Sequence, residues 1–281
     1  MQLLETARLR WVVDEAIPQT PSLKHLMGET TIVSGREITP SVVAGTDILL
    51  VRAVTCVDKS LLEGSCVQFV GTATTGVDHV DTGWLEDRGI AFVNAAGANS
   101  NSVVEYVMSA IAVAGYFPGV LHGDPVGIIG LGRIGEALAR RLLQLGAQVL
   151  VYDPLRLDWP LDIPRGSYEA VLRQPVITLH ANLHDRAPNE SRGLLGDREV
   201  SIMLDAFNKR DRRGLFINSA RGELISFPAV DALSKAGFSL VLDTWPGEPK
   251  LCSTSLRRCD WVSPHIAGHS LCAKYRASNM L

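Results

Sequence analysis

No long apolar run, no block of one charge and no paired-cysteine motif marks this chain of 281 residues. Nothing in it approaches the ~18 consecutive apolar residues that a membrane-spanning helix needs. Its opening stretch, MQLLETARLRWVVDEAIPQT, lacks the apolar region and small-residue cleavage site of a secretory signal. Charge is balanced, 27 Lys+Arg against 30 Asp+Glu for a net of -3, so neither a nucleic acid nor an anionic membrane is expected as partner. The five cysteines, Cys56, Cys66, Cys252, Cys259 and Cys272, are odd in number and irregularly spaced. That argues against a disulfide framework or a C-x-x-C zinc site and for reduced thiols in a cytoplasmic protein. None of the seven histidines falls in H-E-x-x-H or in a Cys/His cluster, and no metal is expected.

What is present is ordinary globular material, 46% hydrophobic and 20% charged, long enough for about two domains of ~150 residues. Short β-branched runs recur: 10–13, 46–52, 67–73 and 90–96, then 125–130, 148–153, 176–180, 214–219, 239–245 and 261–264. Segments of helical character, 18–27 and 81–88 among them, lie between some of these, and a longer one starts at Asn101. Alternating strands and helices imply parallel sheets covered on both faces. The expectation is α/β: two Rossmann-like, doubly wound parallel-sheet domains with a cleft between them. The first spans residues 1–102 and is completed by 266–281; the second spans 103–265. The helix from Asn101 is the expected hinge, and the cleft beside it the expected ligand site.

The most specific local signal is Gly130-Leu131-Gly132-Arg133-Ile134-Gly135, a G-x-G-x-x-G turn between an apolar strand and an Ala/Leu/Arg-rich helix. In such a turn the first glycine allows the tight bend, the second lets the backbone approach a pyrophosphate, and the third allows close helix–strand packing. The pyrophosphate would meet the free N–H groups and positive end of the helix. Asp153, eighteen residues beyond Gly135, is placed to accept from the adenosine ribose hydroxyls and to repel a 2′-phosphate, which favours NAD over NADP. Arg156 nearby leaves NADP open.

Three later segments place polar groups just after strands, where an open parallel sheet presents its ligand site. They are INSARGELI (217–225), LDTWPGEP (242–249) and SPHIAGHS (263–270). Arg221 offers a charged, planar fork suited to a carboxylate. His265 can take a hydroxyl proton near neutral pH, and Glu248 beside it would orient the ring and raise its pKa. Taken singly, Arg221 is more often a surface ion-pair partner, Glu248 before Pro249 reads also as a plain turn residue, and His265 reads equally as a core histidine. Taken together they fit NAD-dependent oxidation of a 2-hydroxy acid. A metal held by His265 and His269 lacks a third ligand.

These motifs resemble the D-2-hydroxyacid dehydrogenase family, in which N-x-x-R-G, D-x-x-x-x-E-P and P-H-x-x-G carry the catalytic Arg, Glu and His. LLVRAVTCVDKSLLEG, FVGTATTGVDHVD and NSNSVVEYV are most similar to its erythronate-4-phosphate dehydrogenase branch, and the resemblance runs from residue 9 to about 272. It implies oxidation of 4-phospho-D-erythronate in pyridoxal phosphate biosynthesis, with Arg221, Glu248 and His265 catalytic. It implies NAD contacts at Gly130, Gly132, Arg133, Ile134, Gly135, Asp153, Asp243 and Gly268. It implies substrate contacts at Arg52, Ala53, Thr74 and His269, where Arg52 and the hydroxyls and N–H groups of 72–76 would receive an anion. The threonines read alternatively as plain turn residues.

The chain also departs from the branch. Ala53 stands where a Ser is expected, Ala181-Asn182 where Thr-Pro is expected, Ser226 where an Asp is expected, and His269 where a substrate-binding Tyr is expected. The branch forms homodimers through a C-terminal domain, which the residues after His265 are too few to build, so a truncated product or a differently built oligomer is expected. Two alternatives remain: a dehydrogenase for another D-2-hydroxy acid such as 3-phosphoglycerate, and an inactive NAD-binding remnant.

Overall fold

The computed structural model describes residues 9–185, 187–208, 213–251 and 256–281. Of the sequence features above, Cys252 and the opening residues 1–8 lie outside them. The chain divides into two compact units: residues up to Asn99 together with His269–Leu281, and Ser100–Gly268. Among the described residues no helix is long and apolar enough to cross a membrane.

The first unit contains β1 (Arg10–Asp14), β2 (Glu29–Val33), β3 (Ile48–Val51), β4 (Phe69–Thr72) and β5 (Ala91–Asn94). They form a parallel sheet in the order β2-β1-β3-β4-β5. Successive side chains of a strand point to opposite faces, and the core sorts accordingly. Val12, Leu49, Val51 and Val70 pack on one side, and Trp11, Val13 and Leu50 on the other. β2, ETTIV, is the strand that periodicity does not announce. It is a sheet edge with no fully buried residue, so it carries none of the apolar continuity that marks its neighbours. The helix Leu271–Met280, capped by the Ser270 hydroxyl, belongs to this unit. Ala277 enters the second of those cores, and Arg276 Nη1 donates to the Ala98 carbonyl at 2.7 Å.

The second unit contains β6 (Val126–Ile129), β7 (Val149–Tyr152), β8 (Val176–Leu179), β9 (Leu215–Asn218), β10 (Ser239–Leu242) and β11 (Trp261–Val262). The parallel order is β11-β10-β9-β8-β6-β7. β6, β8, β9 and β10 are buried throughout, as expected of strands covered on both faces. Val126, Ile128, Leu215, Ile217 and Val241 face the helices Ser100–Val113 and Arg133–Gln144, while Ile129, Ile177, Phe216, Leu240 and Leu242 face the helices on the opposite side. Ser226 caps the helix Phe227–Lys235 by accepting from Ala229 N–H, with Pro228 in its first turn. In each sheet the chain reverses its winding direction next to the first strand, between β1 and β3 and between β6 and β8. Open parallel sheets bind ligands at such switch points, beyond the carboxyl ends of the strands.

Candidate active site

At the second switch point the three glycines of the turn meet three different demands. Gly130 has φ +100°, and a Cβ there would lie 2.5 Å from Ala181 N and 2.6 Å from the His180 carbonyl carbon. A Cβ on Gly135 would lie 2.0 Å from the Gly130 oxygen, whereas one on Gly132 would meet nothing within 4 Å. Two glycines therefore close the turn, and the third leaves an open face where a pyrophosphate backbone can approach. Leu131 is buried beneath the turn, and Ile134 packs partly buried against the core. Arg133 is exposed in the first turn of the helix Arg133–Gln144.

Asp153 follows β7, and its carboxylate organises this surface. Oδ2 accepts from Leu131 N–H at 2.7 Å, and Oδ1 accepts from Leu155 and Arg156 N–H at 2.9 and 3.2 Å. A carboxylate at the end of the second strand, an open glycine face and a helix start together fit a dinucleotide. Across the same switch point, His180 is buried, with Nε2 3.0 Å from Thr178 Oγ1 and Nδ1 without a partner. Burial lowers its pKa to about 4.

The carboxyl ends of β9, β10 and β11 bring Arg221, Glu248 and His265 into one electrostatic group. Asn218, fully buried at the end of β9, turns the chain: its Oδ1 accepts from Ala220 N–H and its Nδ2 donates to the Arg221 carbonyl. Gly222 then passes so close to the next loop that a Cβ would lie 2.0 Å from the Trp245 carbonyl. Arg221 Nη1 donates to the Ala220 carbonyl at 2.8 Å. Beyond β10, Glu248 Oε1 accepts from Trp245 N–H, and its Oε2 lies 2.8 Å from His265 Nδ1. Burial pushes the Glu248 carboxyl upward, but the bonds from His265 and Trp245 and the nearby Arg221 charge outweigh it, leaving its pKa below the usual value. The Glu248 hydrogen bond raises the His265 pKa against opposition from burial and from Arg221.

His265 is the one described non-glycine residue with positive φ, +56°, a conformation that clusters at functional sites. Asp243 imposes it. Wholly buried after β10, Asp243 accepts from Ser263 Oγ at 2.6 Å and Ile266 N–H at 2.8 Å on Oδ1, and from Ala267 N–H at 2.9 Å on Oδ2; its own carbonyl accepts from His265 N–H at 2.8 Å. Tyr106, on the helix Ser100–Val113, lies 2.6 Å from Ser263 Oγ. Since Ser263 gives its hydrogen to Asp243, Tyr106 donates. The resemblance implies an NAD contact at Asp243, yet its carboxylate is engaged with the loop that ends at Gly268. Asn218, Ser263 and Tyr106 escape sequence reasoning, because a supporting hydrogen bond leaves no local pattern.

In the first unit, Arg52 follows β3 at the other switch point. Burial lowers its pKa while the Asp14 charge at the end of β1 acts to raise it. Arg52 and His269 are electrostatic neighbours: the His269 pKa is lowered by burial, then by Lys274 and Arg52. Ala53 is exposed beside Arg52. Thr74 Oγ1 donates to the Gly76 carbonyl at 2.7 Å and therefore accepts from Thr72 Oγ1 at 2.8 Å. Its hydroxyl serves the turn. Among the described residues no cluster of three or more His, Cys, Asp or Glu could hold a metal.

Known proteins resemble this chain in sequence and in fold. Residues 109–267 match the family described as D-isomer specific 2-hydroxyacid dehydrogenase, NAD binding domain. The chain is 38% identical to an erythronate-4-phosphate dehydrogenase of Yersinia enterocolitica and 39% identical to one of Proteus mirabilis, over 97% of its own length and 72% of theirs in each case. An NAD-bound 3-phosphoglycerate dehydrogenase of Entamoeba histolytica shares the fold, with a TM-score of 0.76 at 20% identity over 96% of this chain and 92% of that one. The chain therefore belongs to the D-isomer specific 2-hydroxyacid dehydrogenase family and is an NAD-dependent oxidoreductase.

Proposed function

We propose that the chain oxidises 4-phospho-D-erythronate at C2 to the 2-oxo acid, in the cytoplasm and on the route to pyridoxal phosphate. The observation that carries the chemistry is the 2.8 Å contact between His265 Nδ1 and Glu248 Oε2 beside Arg221. The substrate assignment is supported by the 38–39% identity to relatives of that name and by Arg52, whose guanidinium just beyond β3 is suited to a phosphate.

Glu248 accepts the Nδ1 hydrogen of His265, which leaves Nε2 as the base. Arg221 pairs with the substrate carboxylate through its planar fork. As the C2–H bond breaks, His265 Nε2 takes the hydroxyl proton, and the electron pair of the O–H bond forms the new carbonyl. NAD supplies the hydride acceptor. The imidazolium that results is stabilised by Glu248, and the proton then passes to solvent. The Gly130–Gly135 turn, Asp153 and Gly268 are proposed to hold the cofactor, and Arg52, Ala53, Thr74 and His269 to line the substrate.

The test follows nicotinamide absorbance with NAD and 4-phosphoerythronate, a 2-oxo acid being added in parallel to reoxidise the cofactor. Turnover is expected, with His265→Ala reducing it by about 10²–10⁴-fold. Faster turnover of 3-phosphoglycerate at equal concentration would reassign the substrate. NAD binding without turnover of either acid would identify an inactive remnant.

A further inference from the structure

The surface next to Asp153 carries a cation that a dinucleotide site with a lone acid does not require. Arg156 lies three residues beyond Asp153 and bonds it through its backbone N–H. An arginine at this place in a dinucleotide fold is the group that accommodates the 2′-phosphate of NADP. Here its guanidinium is turned inward. Nη1 donates to the Leu131 carbonyl at 3.0 Å, Nη2 to Glu136 Oε2 at 3.2 Å, and Nε to the Asp158 carbonyl at 3.1 Å.

The Asp158 carboxylate also pairs with Arg156, Oδ1 lying 2.7 Å from Nε, but the two acids that hold Arg156 are not equivalent. The Asp158 side chain is 85% exposed, so water and salt readily replace it. Glu136 and Arg156 are each 25% exposed, which leaves their pair less screened. Glu136 is itself fixed: Arg140, one helical turn on, binds its Oε1 at 3.0 Å, and Asp162 holds Arg140 in turn. Each carboxylate oxygen of Glu136 thus holds one arginine.

We propose that Glu136 determines cofactor specificity by clamping Arg156 in this internal pair, which withholds from NADP the cation its 2′-phosphate would use. Asp153 repels that phosphate, and Glu136 removes the compensating charge. The inference rests on NAD dependence and is independent of the substrate.

Calorimetric titration of NADH and NADPH into the full chain tests it without turnover. Glu136→Gln is expected to tighten NADPH binding about tenfold, with NADH still preferred because Asp153 remains. Adding Arg156→Gln to that variant is expected to remove the gain. Unchanged NADPH affinity in a Glu136→Gln protein that still binds NADH would overturn the proposal. So would a gain that survives Arg156→Gln, since deletion of the Glu136 charge would then suffice. If Glu136→Gln fails to bind NADH, Glu136→Asp is read by the same criteria, because it keeps the charge at the helix end but shortens its reach to Arg156. Failure to turn over 4-phosphoerythronate would overturn the substrate reading and leave this binding result intact.

Discussion

Glu248 and His265 illustrate how one contact sets a proton's availability. The hydrogen bond raises the His265 pKa, so the neutral base proposed for the oxidation is lost on acidification sooner than from an ordinary histidine. Replacing Glu248 by Gln keeps an acceptor but deletes the charge, so the acidic limb of the kcat/KM profile is expected to move to lower pH. A limb that stays in place would show that Glu248 does not set the histidine's titration. Arg221, His265 and Glu248 were legible as residues, since each follows a strand end. The left-handed backbone of His265 was not, because Asp243 produces it from more than twenty residues away.

At the scale of the element, the turn Gly130–Gly135 separates two roles that the motif merges. A methyl at Gly135 collides with the Gly130 oxygen, whereas one at Gly132 enters open space at a φ of -76° that alanine accepts. Gly135→Ala is therefore expected to lower the unfolding free energy by about 1–3 kcal/mol. Gly132→Ala is expected to hold stability or raise it by up to about 1 kcal/mol while weakening NADH binding. Urea melts and NADH titrations on both variants check the split; a destabilised Gly132→Ala protein would refute it. Among the described residues, ten of the eleven strands were legible as β-branched runs between turns. β2 was not, because an edge strand that buries none of its residues fully has no apolar signature.

For the molecule as a whole, His180 links folding to pH. It is buried, with its pKa lowered to about 4, whereas an exposed histidine titrates near 6.5. A base whose folded pKa lies below its unfolded one stays neutral in the fold, so stability is full above about pH 6.5 and declines as pH falls toward 4. Between pH 7 and pH 5 this residue alone is expected to remove about 2 kcal/mol. His180→Gln is expected to flatten the decline by that amount, whatever it does to stability at pH 7. Equal slopes in urea melts of the two proteins would mean that His180 becomes protonated within the fold.

The sequence by itself determined the alternation of strands and helices, the dinucleotide turn with its acid, and the placing of Arg221, Glu248 and His265, the side chains proposed to react, just after strand ends. Those features depend on local periodicity, on glycine spacing and on the chemistry of single residues. The tertiary structure decided which groups support them. Asn218 turns Arg221, Tyr106 and Ser263 complete the shell of Asp243, Asp243 bends the chain at His265, and Glu136 turns Arg156 inward. Each of these contacts joins residues that only folding makes neighbours, through one directed hydrogen bond or ion pair, and a single directed bond imposes no period on the chain.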